Sequence, residues 1–165
     1  MYIKVTRFDT ANGIGIRDTL WFAGCEHHCE GCHNPETWNK DQGEPIDKKL
    51  MELLIKDMKN PHIYGVTLSG GDPLAIYNRQ DATDIIKTLK ALFPEKSFWC
   101  YTGYNWEEVK NLEIMKYLDI LVDGKFLLKE RNIRLPYCGS NNQRVINVQK
   151  SLLQGEVVTW ENSSL

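Results

Sequence analysis

Arg17-Asp18-Thr19-Leu20-Trp21-Phe22-Ala23-Gly24-Cys25-Glu26-His27-His28-Cys29-Glu30-Gly31-Cys32 is a strand-like run that empties into a loop with three cysteines. Residues 17–22 are β-branched and aromatic enough for a strand. The chain has five cysteines, an odd count, and three of them crowd into residues 25–32. A secreted disulfide scaffold more often spreads an even count along the chain. Gly24, Gly31 and the two histidines around the cysteines suit a tight ligand loop. Thiolates ligate iron in iron–sulfur clusters, and four usually complete the shell of a cubane. Cys25-x3-Cys29-x2-Cys32 supplies three, so one iron keeps an exchangeable position, which an amino acid can chelate through its amino and carboxylate groups. The same spacing also admits structural zinc, with His27, His28 or His33 as fourth ligand. Zinc sites usually pair two knuckles far apart in sequence, and the remaining cysteines, Cys100 and Cys138, are isolated.

Working outward, strand and helix patterns alternate. Ile46, Leu50, Leu53, Leu54 and Met58 fall on one face of a helix begun after Pro45. Ile63 to Leu68 reads as a buried strand ending at Ser69-Gly70-Gly71-Asp72-Pro73. Asp81 to Phe93 is a helix with Ala82, Ile85, Ile86, Leu89 and Leu92 as its apolar stripe, stopped by Pro94. Ser97 to Tyr101 is a strand, and Asn105 with Glu108 forms a capping pair for a short helix. Leu118 to Val122 is a strand ending at Asp123-Gly124-Lys125. Arg144 to Val148 and Val157 to Trp160 are further strand candidates. This alternation argues for α/β architecture with right-handed βαβ units and a mainly parallel sheet. A full eight-fold barrel needs about 250 residues, so the expectation for 165 residues is one domain over 1–165. Its form is an incomplete, open (β/α) barrel of about five to six units. The cysteine loop, the GGDP turn, the Tyr101-Thr102-Gly103-Tyr104 turn and the Asp-Gly-Lys turn each follow an expected strand. The C-terminal edge of parallel strands is where ligands bind, so these segments converge on one rim.

The formal net charge of −2 gives no electrostatic reason to expect nucleic-acid binding. No apolar run approaches the roughly 20 residues that span a bilayer. Met1 to Arg7 lacks the order of a signal peptide, so a soluble, cytoplasmic protein with no membrane partner is expected. Nothing in the chain resembles a nucleophile–base triad.

These motifs together carry a resemblance. Cys-Glu-His-His-Cys-Glu-Gly-Cys after a first strand resembles the radical S-adenosylmethionine superfamily. The wider context is Asn12-Gly13-Ile14-Gly15-Ile16-Arg17, Phe22-Ala23-Gly24-Cys25, His33-Asn34-Pro35-Glu36-Thr37-Trp38, Ser69 to Leu74, Leu121 to Phe126 and Gly139-Ser140-Asn141-Asn142-Gln143-Arg144. It is similar to the glycyl-radical-enzyme activating proteins, in particular those of anaerobic ribonucleoside-triphosphate reductase. The likeness runs from about Asp9 to Val148.

The resemblance implies a [4Fe–4S] cluster on Cys25, Cys29 and Cys32, with S-adenosylmethionine as the second cofactor. It implies that Gly31, Cys32 and His33 pass near the adenine. Gly70, Gly71 and Asp72 would meet the methionine amino group, with the glycines letting backbone approach the ligand. Asp123 and Lys125 would lie near the cofactor carboxylate and ribose, and Thr102 would lie by the cofactor or close its turn. Gly139 to Arg144 would shape the rim or contact a protein substrate. The implied partners are a glycyl-radical enzyme and a flavodoxin-like electron donor. Three positions depart from the family pattern. Gly31 stands where the superfamily usually has an aromatic residue, and Ile14 where members tend to carry proline. His33 matches pyruvate formate-lyase activators, which keeps that enzyme as an alternative target beside the zinc-stabilised binding module.

Overall fold

The computed structural model describes residues 1–161. Six strands form one sheet in chain order: β1 (Tyr2–Asp9), β2 (Ile16–Phe22), β3 (Ile63–Gly70), β4 (Ser97–Tyr101), β5 (Ile120–Asp123) and β6 (Arg144–Asn147). β2, β3, β4 and β5 run parallel, and β1 and β6 pair antiparallel at the two edges. The architecture is α/β with a mostly parallel sheet, as the alternation implied.

Helices α1 (Lys48–Met58), α2 (Arg79–Leu92) and α3 (Trp106–Val109) make the crossovers between parallel strands, and α4 (Val148–Gln154) follows β6. Three strand–helix–strand crossovers therefore stand where five or six units were expected. The difference lies at the edges. β1 was not foreseen, because its burial follows no alternating pattern that its sequence would betray. β6 returns beside β5 through an irregular connection instead of a helix, and so lies antiparallel. Val157–Trp160 is not a strand, although Asn147 N donates to Val158 O and Trp160 N to Val145 O, covering the β6 edge.

Local signals place the helices. Asp47 caps α1, its side chain accepting from Leu50 N at 3.0 Å. Ile46 therefore precedes the helix, while Leu50, Leu54 and Met58 enter the core. The Asn105–Glu108 capping box of α3 is present as its spacing indicated. The main core lies on the helix-bearing face, where Leu20, Phe22, Val66, Leu68, Phe98, Cys100 and Leu121 meet Leu54, Ile86 and Leu89. The opposite face carries a smaller cluster of Trp99, Ile120 and Val122, joined by Tyr101, Tyr137 and Trp160.

That second face is anchored by Arg17, which is 0% exposed. Burial pushes its guanidinium down to about 10, still charged at neutral pH. Its five N–H donors are all engaged: Nε on Thr67 Oγ1, Nη1 on Ile14 O and Ser97 Oγ, and Nη2 on Val66 O and Ser97 O. The group also stacks over Trp99 at 5.3 Å. It thus binds the loop before β2 to β3 and β4. Replacing it by methionine keeps the bulk and strips these acceptors of their donors. We expect Arg17→Met to lower unfolding stability by about 3 kcal/mol in urea titrations of the apoprotein; a variant as stable as the parent would refute this account.

Candidate functional site

The strand ends meet as expected on one pocket. Cys25, Cys29, Cys32, His33, Gly70, Gly71 and Thr102 all line it, together with His27, Asn34, Trp38, Ser69, Tyr101, Gly124, Phe126 and Gln143. The three thiols are free and half-buried. Each faces backbone N–H donors: His27 and His28 toward Cys25, Phe126 toward Cys29, and Asn34 N donating to Cys32 Sγ at 3.4 Å. Burial nevertheless dominates at Cys25 and pushes its thiol up to about 11, and it raises Cys29 too. Any metal bound by these sulfurs would have to displace their protons. Among the described residues, no three His, Cys, Asp or Glu side chains close on a point suited to a single ion. Cys25, Cys29 and Cys32 all border the same pocket.

The cysteine loop is held by its neighbours. Gly24 N donates to Thr37 O and Cys25 N to Trp38 O, so the Asn34–Trp38 segment folds back along the loop. Asp72 N donates to Gly24 O at 2.8 Å, and Asn78 Nδ2 bonds both Ala23 O and Asp72 O. The glycines of the GGDP turn are required by this backbone packing. A Cβ at Gly71 would meet Gly24 O at 2.2 Å, and Gly70, at φ +97°, would drive one into Phe22.

The Asp72 side chain lies behind the pocket wall, 1% exposed. Oδ1 accepts from Leu74 N and Thr102 Oγ1, and Oδ2 accepts from Thr102 Oγ1, Gly103 N and His27 Nε2, all between 2.7 and 3.0 Å. Asp123 is likewise withdrawn, 1% exposed, receiving Trp106 N at the start of α3 and both Nε and Nη2 of Arg144. This partner, together with Glu107, raises the Arg144 guanidinium above its ordinary value. Lys125 is exposed and borders the neighbouring surface recesses, not the pocket of the thiols. Gly31 is exposed beside Leu128 and is also absent from the pocket wall.

Residues 139–144 fasten the β5 turn: Asn142 Nδ2 donates to Lys125 O, Gln143 Nε2 to Gly124 O, and Ser140 Oγ accepts from Leu127 N. Phe126 is not among the site residues that the sequence indicates, and His27 is indicated only as an alternative zinc ligand. His27 stands edge-on to Tyr104 at 4.6 Å while bonding Asp72, and Phe126 lies tilted against His33 at 5.8 Å. Only the position of His27 inside the cysteine loop hinted at its part, because its partner lies 45 residues away.

With this geometry established, similarity to known proteins becomes decisive. A family model described as "4Fe-4S single cluster domain" matches residues 11–146. The anaerobic ribonucleoside-triphosphate reductase-activating protein of Enterobacteria phage T4 is 40% identical over 146 residues, covering 87% of this chain and 92% of the relative. The chain belongs to the anaerobic ribonucleoside-triphosphate reductase-activating proteins. Members from Escherichia coli (strain K12), at 37% over 83% of this chain and 92% of the relative, and from Vibrio cholerae, at 36% over 86% and 94%, are similar to it as well. Within this activating-protein family, the matched region includes every pocket residue named above.

The thiol pocket fits the cluster that the domain description names, since its sulfurs are free, adjacent and supplied with N–H donors. The Asp72 network gives a direct test of the rim. Asp72→Ala would leave buried donors of Leu74, Thr102, Gly103 and His27 unpaired, at about 1–3 kcal/mol each before relaxation. We expect a drop in thermal midpoint of the apoprotein large enough to populate unfolded chain, and a smaller drop for Asp72→Asn. Equal midpoints for parent and Asp72→Ala would show that the network does not support the fold.

Proposed function

We propose that the protein activates an anaerobic ribonucleoside-triphosphate reductase by placing a glycyl radical on it, with Cys25, Cys29 and Cys32 as ligands of a [4Fe–4S] cluster. The cluster, when bound and reduced, supplies one-electron cleavage of S-adenosylmethionine to methionine and a 5′-deoxyadenosyl radical, which takes a hydrogen atom from a glycine α-carbon of the reductase. The observation that carries this reading is the convergence of three free thiols on a pocket walled by the ends of β3 and β4 and the turn after β5. Three thiolates leave the fourth iron of a cubane to an outside ligand.

The chain's own work is to position and enclose. The backbone of Ser69, Gly70 and Gly71 forms the wall for the amino-acid end of S-adenosylmethionine, and Cys32, His33 and Phe126 form the wall for its adenine. Thr102 presents its turn to the cofactor. Its hydroxyl donates to Asp72, so Asp72 acts by fixing Thr102 and His27 and not by pairing with the ammonium. Asp123, joined to Arg144 and α3, holds the turn that carries Gly124 and Phe126. Lys125 and Gly31 are exposed and lie outside the wall of the thiol pocket. We read the mostly parallel sheet as an incomplete, open barrel whose open side admits the glycine loop of the reductase. A flavodoxin-like protein supplies the electron, in the cytoplasm. Among the described residues, no helix is long and apolar enough to cross a membrane.

Anaerobic reconstitution with iron and sulfide tests the ligand set. The parent protein should take up about four irons per chain and give a reduced-cluster electron paramagnetic resonance signal that S-adenosylmethionine perturbs. Mixing it with the reductase should then yield a glycyl radical. Cys29→Ala should lose the normal cluster. A colourless protein holding one zinc, or a cluster signal indifferent to S-adenosylmethionine, would refute the proposal.

A further inference from the structure

Phe126 stands in the wall of the thiol pocket, and one loop grips it from ring to backbone. Gly139 packs on the ring: a Cβ there would lie 2.9 Å from Phe126 Cδ2 and 3.2 Å from Cε2, so a larger residue would push the ring aside. Ser140 Oγ accepts from Leu127 N at 3.1 Å, Asn142 Nδ2 donates to Lys125 O at 2.8 Å, and Gln143 Nε2 donates to Gly124 O at 2.9 Å. The main chain is thus held at 124, 125 and 127, on both sides of Phe126.

The grip is itself braced. Ser140 is fully buried, and its hydroxyl donates to Asn142 Oδ1 at 2.7 Å. Gln143 Oε1 accepts from Gly139 N and Ser140 N, which turns the amide nitrogen toward Gly124. Asn141 points elsewhere and bonds Asn132. Ordering polar side chains costs conformational entropy, and here three of them are ordered on the single turn that carries Phe126. That ring faces His33, with centroids 5.8 Å apart and planes tilted by 38°. The two rings give the pocket an apolar aromatic surface beside the cysteine loop, and the flat apolar part of S-adenosylmethionine is its adenine.

We propose that Gly139, Ser140, Asn142 and Gln143 are positioning residues that hold the Phe126 ring against the adenine of S-adenosylmethionine, and so set the affinity for that cofactor. This rests on the cluster and cofactor reading above. Packing a base on an aromatic ring contributes about 1–3 kcal/mol, enough for the placement of one ring to govern binding. Ser140 and Asn142 do not line the thiol pocket, so any effect of theirs on the cofactor passes through the turn they hold.

Binding is read on reconstituted, reduced protein from the change each ligand makes in the paramagnetic resonance signal of the cluster. Phe126→Leu should weaken S-adenosylmethionine by about tenfold and leave the binding of methionine alone as in the parent. Ser140→Ala and Asn142→Ala should weaken S-adenosylmethionine too. Combined with Phe126→Leu they should add little, because all act through one ring. Unchanged affinity in Phe126→Leu, an equal loss for methionine, or full additivity overturns the proposal. A second measurement needs no variant: an 8-azidoadenosyl analogue of the cofactor, photolysed on the parent protein, should label residues 124–127, and labelling that spares them overturns the proposal. In both cases the ligand assignment stands as long as the parent cluster forms and responds to S-adenosylmethionine. A parent protein that takes up no cluster overturns that assignment, and this inference with it.

Discussion

Asp72 receives hydrogen bonds from His27 in the cysteine loop, from Thr102 and Gly103 after β4, and from Leu74 in its own turn. Three segments, two of them distant in sequence from Asp72, thereby meet at one buried carboxylate. Burying a carboxylate is costly without such compensation, and among the described residues no lysine or arginine is a hydrogen-bonding partner of it. The compensation here is geometric, since both oxygens have donors fixed by strand ends. Because the requirement is mutual, the loop that carries the thiols cannot shift without leaving Asp72 short of a donor. The rim is rigid for that reason, and rigidity in the shell behind the ligands is what holds a site's geometry.

The opposite end of the sheet uses the reverse charge. Arg17 gathers carbonyls and hydroxyls from the loop before β2, from β3 and from β4. Between the two polar anchors the faces are apolar, with helices covering one side and the Trp99 cluster on the other. Each anchor joins strands that hydrogen bonding already makes neighbours, so the anchors set the register of loops more than the order of strands. The Asp123–Arg144 pair does the same for the turn after β5, where it meets the start of α3.

The parallel strands and the helices between them were legible because burial on both faces leaves β-branched, nearly continuous apolar runs, and capping residues mark helix starts. Asp47 and the Asn105–Glu108 box are examples. Edge strands carry weaker signals. β1 mixes half-buried and exposed positions without a period, and nothing in Arg144–Asn147 distinguishes an antiparallel return from a parallel one. The cysteine spacing was legible for a different reason: ligands in one tight loop are constrained by covalent chain geometry, so their pattern survives in the sequence itself.

The sequence by itself determined the alternation of the central strands and helices, the three adjacent thiols, and the glycine turns at the strand ends. These are local properties, set by side-chain shape, capping and backbone conformation over a few residues. Only the tertiary structure decided which polar side chains face the pocket and which stand behind it. Gly70 and Gly71 proved necessary for backbone contact with Phe22 and Gly24, and Asp72 and Asp123 turned away from the pocket toward donors 17 to 45 residues distant. Such choices depend on which hydrogen-bond partners the fold brings within reach. Spacing along the chain carries no record of them.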